Sequence, residues 1–117
     1  MGPSAAGAVV LITFPFSDLT NSKVRPAVAL APTGHDDWLV CQITSRPYGD
    51  GLSIEIVPDD FTKGGLSRLS YVRPLKLFTA SISLVRGEVG LLTVEKTEQI
   101  FETVIRTLLR AISTTRA

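Results

Sequence analysis

Residues 23–30, Lys23-Val24-Arg25-Pro26-Ala27-Val28-Ala29-Leu30, place one guanidinium at the mouth of a run that otherwise has the composition of a buried strand. Pro26 stiffens the chain directly after Arg25, and a polar loop precedes the run. A guanidinium on such a rigid base suits bidentate recognition of a phosphate. The residue types leave a second interpretation open, in which Arg25 forms a structural ion pair. The candidate partners are three carboxylates, Asp18, Asp36 and Asp37.

The sequence on both sides of this run predicts a mainly β fold. Apolar, β-branched and aromatic segments are separated by Gly, Pro and polar turn residues, which is typical of short antiparallel strands. We expect six strands, at Ala8–Phe16, Arg25–Leu30, Trp38–Ser45, Leu52–Ile56, Ser70–Phe78 and Leu84–Leu91. Residues 32–37 predict a hairpin, residues 58–65 predict a break after the fourth strand, and Pro74 weakens any central ladder position.

The tail from Val94 to about Ile112 predicts an amphipathic helix. Thr93 supplies a hydroxyl at the N-cap, and arginines lie toward the C-terminal end of the helix dipole. Apolar side chains recur at helical spacing, at Phe101, Val104, Ile105, Leu108, Leu109 and Ile112. Strands followed by one helix predict a small curled β-barrel or sandwich that the helix seals. We expect a flexible segment over residues 1–6 and one domain over residues 7–113.

The composition limits the function classes. Twelve Lys and Arg against eleven Asp and Glu give a net charge of +1, so a nucleic-acid role must rest on a local patch. Cys41, the only cysteine, lies in an apolar run and predicts a buried side chain in a reducing, cytoplasmic protein. The sequence predicts neither a secretory signal nor a membrane span.

Cofactor and metal motifs are absent from the sequence. No glycine-rich phosphate loop, zinc-protease motif, CxxC pair or hydrolase elbow occurs, so we expect no cofactor. His35, the only histidine, lies beside two aspartates in the predicted hairpin turn. We interpret it as a solvated turn residue, and we expect no metal site.

Two further polar groups are candidates for a site. Thr44 and Ser45 close the third predicted strand and precede Arg46, so hydroxyls and a cation emerge where strand gives way to loop. Residues 70–73, Ser-Tyr-Val-Arg, combine a hydroxyl, an aromatic ring and a guanidinium, which can stack on and bind single-stranded RNA. Both groups are also ordinary at strand ends and on solvated strand faces, and the residue types leave both interpretations open.

In series, residues 7–19, residues 23–30 and Gln42-Ile43-Thr44-Ser45 resemble the MazF/PemK-like toxins of type II toxin-antitoxin systems. Gly65-Leu66, residues 70–73 and the closing helix extend the resemblance to about Leu109. The resemblance implies an SH3-like barrel of the plasmid-toxin type with a C-terminal α-helix. It also implies a homodimer whose partner is an acidic antitoxin of the MazE/PemI-like kind.

The resemblance further implies a metal-independent endoribonuclease that cleaves single-stranded RNA by attack of a 2′-hydroxyl on its phosphodiester. The catalytic pair of the family falls here on Arg25 and Thr44. The loop from Ser17 to Val24 is expected to gate the RNA groove. Contacts with RNA are expected from seven more residues, Lys23, Ser45, Arg46, Lys63, Arg68, Ser70 and Arg73.

One position departs from the family pattern. Many relatives carry an aspartate directly after the first glycine of the opening strand, where this chain has Ala8. If that carboxylate orients the arginine or the following loop, activity here would be reduced. A catalytically weakened homologue that binds nucleic acid or antitoxin therefore stays open as an alternative function. A separate alternative is a gyrase-poison-type toxin, which would bind a protein through its C-terminal residues rather than act through Arg25.

Overall fold

The computed structural model describes residues 2–15, 22–47, 49 and 51–116, which form an antiparallel β-sheet followed by one α-helix. The strands are β1 (Ala8–Pro15), β2 (Ser22–Gly34), β3 (Asp37–Thr44), β4 (Ile54–Ile56), β5 (Phe61–Gly64), β6 (Ser70–Ser81) and β7 (Val85–Leu92). The helix is α1 (Val94–Thr115), and short 3-10 turns at Pro58–Asp60 and Ile82–Leu84 lead into β5 and β7.

The strand order is β4-β6-β3-β2-β1-β7-β5, and each neighbouring pair is antiparallel. The prediction of a mainly β fold with a C-terminal helix is confirmed. Within the described residues β4 and β5 are the two edges, so the sheet is not closed into a barrel by hydrogen bonds. The strand predicted at Leu52–Ile56 corresponds to β4, which pairs only with β6 and forms one of these edges.

Two predicted boundaries are wrong. β2 extends beyond Arg25–Leu30 because Pro32 still pairs with Trp38, and the turn is confined to His35 and Asp36, both of which have positive φ angles. The predicted gating loop is likewise shorter, since residues 22–24 belong to β2, whereas residues 16–21 lie outside the described residues.

The prediction of a break at residues 58–65 missed β5, whose residues pair with β7. Gly64 has a φ of +68°, and a Cβ there would collide with the carbonyl oxygen of Val89. The glycine therefore permits a close approach of two strands rather than ending one. A strand signal that depends on contact with β7 cannot be found in the local sequence.

β6 accommodates Pro74 by an irregularity in its ladder. Along β3, pairing steps from Arg73 directly to Leu77, so residues 74–76 have no ladder partner on that strand. A proline has no N–H to donate, so the extra residues remove it from the ladder while its side chain stays buried. The expectation that Pro74 weakens a central ladder is confirmed.

Strand alternation gives the sheet two apolar faces. One face packs against α1, where Ile100 is the buried helical residue. The other buried residues of this face are Val9, Val28, Leu30, Cys41, Ile43, Ile54, Ile56, Val72 and Leu92. The opposite face is built from smaller side chains, Ala8, Val10, Ile12, Ala27, Ala29, Val40 and Ala80, with Phe14, Trp38, Phe78 and Leu84 packed over them.

Cys41 is fully buried in the face beneath α1, as its apolar surroundings predict. Burial raises the pKa of the thiol to about 12, because a thiolate there would lose its hydration. A hydrogen bond with the Val28 backbone opposes this shift only partly. The native thiol is therefore protonated, and unreactive, at neutral pH.

The raised pKa of Cys41 predicts a loss of stability in alkali. Between the ordinary thiol pKa of 9.0 and the folded value of about 12, the unfolded chain releases a proton that the folded chain retains. This group should therefore lower the free energy of unfolding by about 1.4 kcal/mol per pH unit once the pH exceeds 9. Urea unfolding from pH 8 to 10.5 measures the slope, with Cys41→Ala as control. Equal slopes in the two proteins would contradict the prediction.

Candidate functional site

A groove of about 560 Å³ lies at the ends of β2 and β3. Its apolar floor is formed by Leu11, Val24, Pro26, Ile43 and Leu66. Of the nine residues predicted to act in a site, seven line this groove, namely Lys23, Arg25, Thr44, Ser45, Arg46, Arg68 and Ser70. Segments that are far apart in sequence therefore converge on one concave surface, which is where binding sites are usually built.

The two other predicted residues, Lys63 and Arg73, are not among the described residues that line the groove. Lys63 is exposed on β5, the edge strand separated from β2 by β7 and β1. Arg73 is half-buried on β6, at the ladder position of Gln42. Ser67 lines the groove and was not predicted. Its position next to Arg68, a predicted site residue, could have indicated it.

Arg25 and Thr44 both line the groove, beyond the end of the β2/β3 ladder. Ala27 and Gln42 are the pair at this end of the ladder, and Arg25 lies two residues before Ala27 while Thr44 lies two residues after Gln42. At Ile43 and Thr44, β3 pairs with β6. A guanidinium and a hydroxyl that line one groove can both contact a phosphate group bound there.

The hydroxyl of Thr44 is oriented by the chain that follows it. The Arg46 backbone N–H donates to Thr44 Oγ1 at 3.2 Å, so the oxygen acts as an acceptor in this contact. Within the described residues, the Thr44 hydroxyl donates no hydrogen bond. Its proton is thus available to an acceptor in the groove, such as a phosphate oxygen.

Arg25 makes no ion pair or side-chain hydrogen bond with any residue that the structure describes. Asp36 and Asp37 lie at the hairpin turn, at the opposite end of β2, roughly 30 Å away along the strand. The structural ion pair with either of them is therefore excluded. Asp18, the third candidate partner, lies outside the described residues.

The groove carries a concentrated positive charge. Four cationic side chains, Lys23, Arg25, Arg46 and Arg68, line it, and none of its described lining residues is Asp or Glu. The buried Ser70 hydroxyl donates to the Arg68 carbonyl oxygen at 2.9 Å, which holds the segment that bears Arg68. The local patch that the net charge of +1 did not reveal is thus present, and it favours a polyanionic ligand.

Ala8 lies in the core, away from the groove. It is fully buried among the small apolar residues of the face opposite α1. Arg25 pairs with Ile12, four residues further along β1, so Ala8 is about 13 Å from that position. We infer that the departure from the family pattern at Ala8 affects the packing of the core more directly than it affects Arg25.

This location predicts that an aspartate at position 8 is destabilising in this chain. The Ala8→Asp carboxylate would be buried among apolar side chains, which should cost at least about 3 kcal/mol of unfolding free energy. Ala6→Asp, two residues earlier and exposed, is the matched control and should change stability little. Urea unfolding compares the two variants, and a fully stable Ala8→Asp protein would mean that the carboxylate finds a partner.

In the described part of the chain, no three His, Cys, Asp or Glu side chains are grouped as ligands for a metal ion. His35 is exposed at the β2/β3 turn. Among the described residues, no helix has the length and apolar character needed to cross a membrane.

Comparisons with known proteins agree with this fold. A family model described as the PemK-like, MazF-like toxin of type II toxin-antitoxin systems matches residues 5–108. No curated protein sequence matches the chain significantly.

Several solved structures share the fold. A MazE-MazF crystal structure from Deinococcus radiodurans superposes with a TM-score of 0.72 at 17% identity, covering 88% of this chain and 93% of that one. A mycobacterial endoribonuclease in complex with its cognate antitoxin gives a TM-score of 0.68 at 13% identity, with coverages of 92% and 95%. The Mycobacterium tuberculosis toxin MazF-mt6 gives 0.60 at 17% identity, with coverages of 81% and 91%.

Proposed function

We propose, from the premise that the chain belongs to the PemK-like, MazF-like toxins of type II toxin-antitoxin systems, that it is an endoribonuclease acting on single-stranded RNA. The observation that carries the proposal is the groove that Arg25 and Thr44 both line, together with three further cations. Phosphodiester recognition needs positive charge and hydrogen-bond donors, and this surface supplies both.

In the proposed reaction, a ribose 2′-oxygen attacks the adjacent phosphorus. A bond from the 2′-oxygen to phosphorus forms as the bond to the 5′-oxygen of the next nucleotide breaks. The products are a 2′,3′-cyclic phosphate and a 5′-hydroxyl. Negative charge builds up on the non-bridging oxygens, where Arg25 can donate two N–H groups and Thr44 one O–H.

Two protons move in this reaction. The 2′-hydroxyl loses one, and the departing 5′-oxygen gains one. The guanidinium of Arg25 stays protonated in proteins, and the Thr44 hydroxyl is a very weak base, so neither is the acceptor. Their proposed role is electrostatic and is concentrated in the transition state.

The remaining cations of the groove are proposed to position the substrate. Lys23, Arg46 and Arg68 would contact phosphates on either side of the cleaved bond, which fixes register without selecting bases. Unpaired RNA is the expected substrate class, because single strands can be splayed across an open groove and duplex RNA cannot. Lys63 and Arg73 would reach only RNA that extends beyond the groove.

We also propose that this toxin forms a homodimer and that it binds an acidic antitoxin. The family supports both, and two of the structures that share the fold are antitoxin complexes. A basic groove with no described carboxylate in its lining is complementary to an acidic polypeptide as well as to RNA.

The test is cleavage of a long single-stranded RNA by the purified protein in excess chelator. We expect discrete fragments with 2′,3′-cyclic phosphate and 5′-hydroxyl ends. A duplex of the same sequence is the substrate control and should resist cleavage. A folded protein that cuts no RNA at any ratio would refute the activity, and RNA binding that persists without cleavage would indicate the catalytically weakened homologue instead.

A further inference from the structure

Arg86 occupies an irregular position in β7, where this strand pairs with β1. Leu11 pairs with Gly87 and Ile12 pairs with Val85, so Arg86 is an extra residue between two ladder positions, which makes it a β-bulge. A bulge leaves its extra residue unpaired in the ladder and changes the direction of the side chain. Bulges are common next to binding and active sites, so the direction that Arg86 takes is a candidate functional feature.

One hydrogen bond fixes the guanidinium of Arg86. Its Nε–H donates to Thr13 Oγ1 at 2.7 Å, across the gap between β7 and β1. Because the threonine hydroxyl is neutral, this contact orients the guanidinium without compensating its positive charge. Within the described residues, the two Nη groups of Arg86 make no ion pair or hydrogen bond. They are available to an anion, and the planar arrangement of their N–H donors suits a phosphate.

Glu88, the carboxylate nearest to Arg86 in sequence, is held by a different partner. Its two oxygens accept from the backbone N–H of Ser4 at 2.9 Å and from the Ser4 hydroxyl at 2.6 Å. Glu88 and Arg86 border the same cavity of about 310 Å³, yet they do not form an ion pair with each other. The carboxylate is thus satisfied by the N-terminal segment, and Arg86 is not required to neutralise it.

Thr13 connects Arg86 to the cationic groove. Leu11 lines the groove, and Thr13, two residues further along β1, is on the same face of the sheet. Thr13 also pairs with Val24, another residue of the groove lining, and opposite residues of an antiparallel pair have Cβ atoms roughly 4.5–5.5 Å apart. The positive surface therefore continues from the groove across β1 to β7.

We propose that Arg86 binds a phosphate of single-stranded RNA just outside the groove, and that Thr13 is the positioning residue that holds its guanidinium for this contact. The RNA path is then extended by one backbone contact, from β2 across β1 to β7. A phosphate contact adds affinity without selecting bases. The assignment rests on the proposed binding of single-stranded RNA, but it does not depend on cleavage.

Binding of 2′-O-methyl RNA, which cannot undergo the proposed reaction, tests the contact. Grooves that bind single strands take roughly 4–16 nucleotides, so oligonucleotides of about 4 and about 12 nucleotides separate the groove from its surroundings. For the longer one, Arg86→Ala should raise the dissociation constant about 5- to 20-fold. It should also reduce the slope of log K against log salt by about 0.7, the value for one phosphate of a single strand. The shorter one should bind wild type and variant equally.

Arg110→Ala is the matched control, because it removes an exposed arginine from α1. It should alter neither the dissociation constant nor the salt dependence. Arg86 is itself exposed, so its alanine variant should fold, and an unchanged midpoint of urea unfolding would verify this.

A double-mutant cycle tests the role of Thr13. Thr13→Val removes the hydroxyl that accepts from Arg86 Nε and keeps the β-branched shape, so it should weaken binding of the longer oligonucleotide about threefold. In the Arg86→Ala background the same change should have no effect, because it acts through the guanidinium. The same loss in both backgrounds would contradict the positioning role.

The outcomes separate this assignment from the proposed function. Wild-type protein that binds neither oligonucleotide would refute RNA as the ligand of the groove. Wild-type protein that binds the longer oligonucleotide with an affinity and a salt slope unchanged by Arg86→Ala would overturn the role of Arg86 alone. Equal losses for the shorter and the longer oligonucleotide would overturn the path across β1.

Discussion

Replacing Arg25 with alanine should reduce the rate of RNA cleavage by about 10²–10³-fold while the protein stays folded. The side chain has no partner among the described residues, so its removal leaves no buried group unsatisfied. What is lost is the pair of N–H donors and the charge aimed at the phosphate, which should be worth about 2.7–4 kcal/mol in the transition state. Single-turnover cleavage of a long RNA measures the change.

Two control variants separate the role of Arg25 from a general loss of charge. Arg68→Ala removes a cation from another part of the groove and should mainly weaken RNA binding. Arg110→Ala removes an exposed arginine from the far side of α1 and should leave cleavage unchanged. Arg25→Lys keeps the charge without the planar fork, so it should recover only part of the rate.

The result also discriminates between classes of toxin. A toxin of the gyrase-poison type would act through its C-terminal residues, and its toxicity in cells should survive Arg25→Ala. Unchanged RNA cleavage by a folded Arg25→Ala protein would show that the guanidinium does not contribute to cleavage. Loss of both cleavage and toxicity would tie the cellular effect to the groove.

The local features of the fold could be predicted because they depend on neighbouring residues. The helix begins at Val94, and the Thr93 hydroxyl accepts from the Lys96 backbone N–H at 3.1 Å, as the N-cap pattern predicted. The end of the helix was placed too early. Apolar periodicity stops at Ile112, but no Gly or Pro follows to end the helix, and it continues to Thr115.

Features that depend on long-range pairing were harder to predict. β5 exists through its ladder with β7, and residues Lys63 and Gly64 alone have the appearance of a turn. The same limit explains why Lys63 was grouped with the site although it lies on the far edge of the sheet. That β4 and β5 are the edge strands of the sheet likewise depends on how all the strands pair, which the local sequence does not show.

The candidate site was predicted from a family pattern that links residues distant in sequence. Nineteen positions separate Arg25 from Thr44, and only the folded chain shows that they line one groove. Composition alone was a poor guide to the groove, because none of the described residues that line it beside its four cations is Asp or Glu. The sequence also did not show that Ile105, Leu109 and Ile112 are exposed, since their spacing is that of an ordinary core-facing helix.

Replacing Thr44 with valine should lower the cleavage rate about 10- to 100-fold without a comparable loss of RNA binding. Valine preserves the β-branched shape that the end of β3 requires, so the change removes little besides the hydroxyl. A hydrogen bond to a charged oxygen is worth about 1.5–3 kcal/mol, and this one should strengthen as charge develops on the phosphate. Single-turnover cleavage measures the rate, and a 2′-O-methyl RNA, which cannot attack its own phosphate, measures binding.

Thr44→Ser is the matched variant, because it restores the hydroxyl that accepts from the Arg46 N–H and should recover most of the rate. Thr79→Val, at an exposed threonine of β6 outside the groove lining, controls for the loss of a strand hydroxyl. Equal rates for wild type and Thr44→Val would mean that Arg25 acts without this partner. Equal losses in Thr44→Val and Thr44→Ser would contradict the proposed role of the hydroxyl, since only the valine variant lacks a donor to the phosphate.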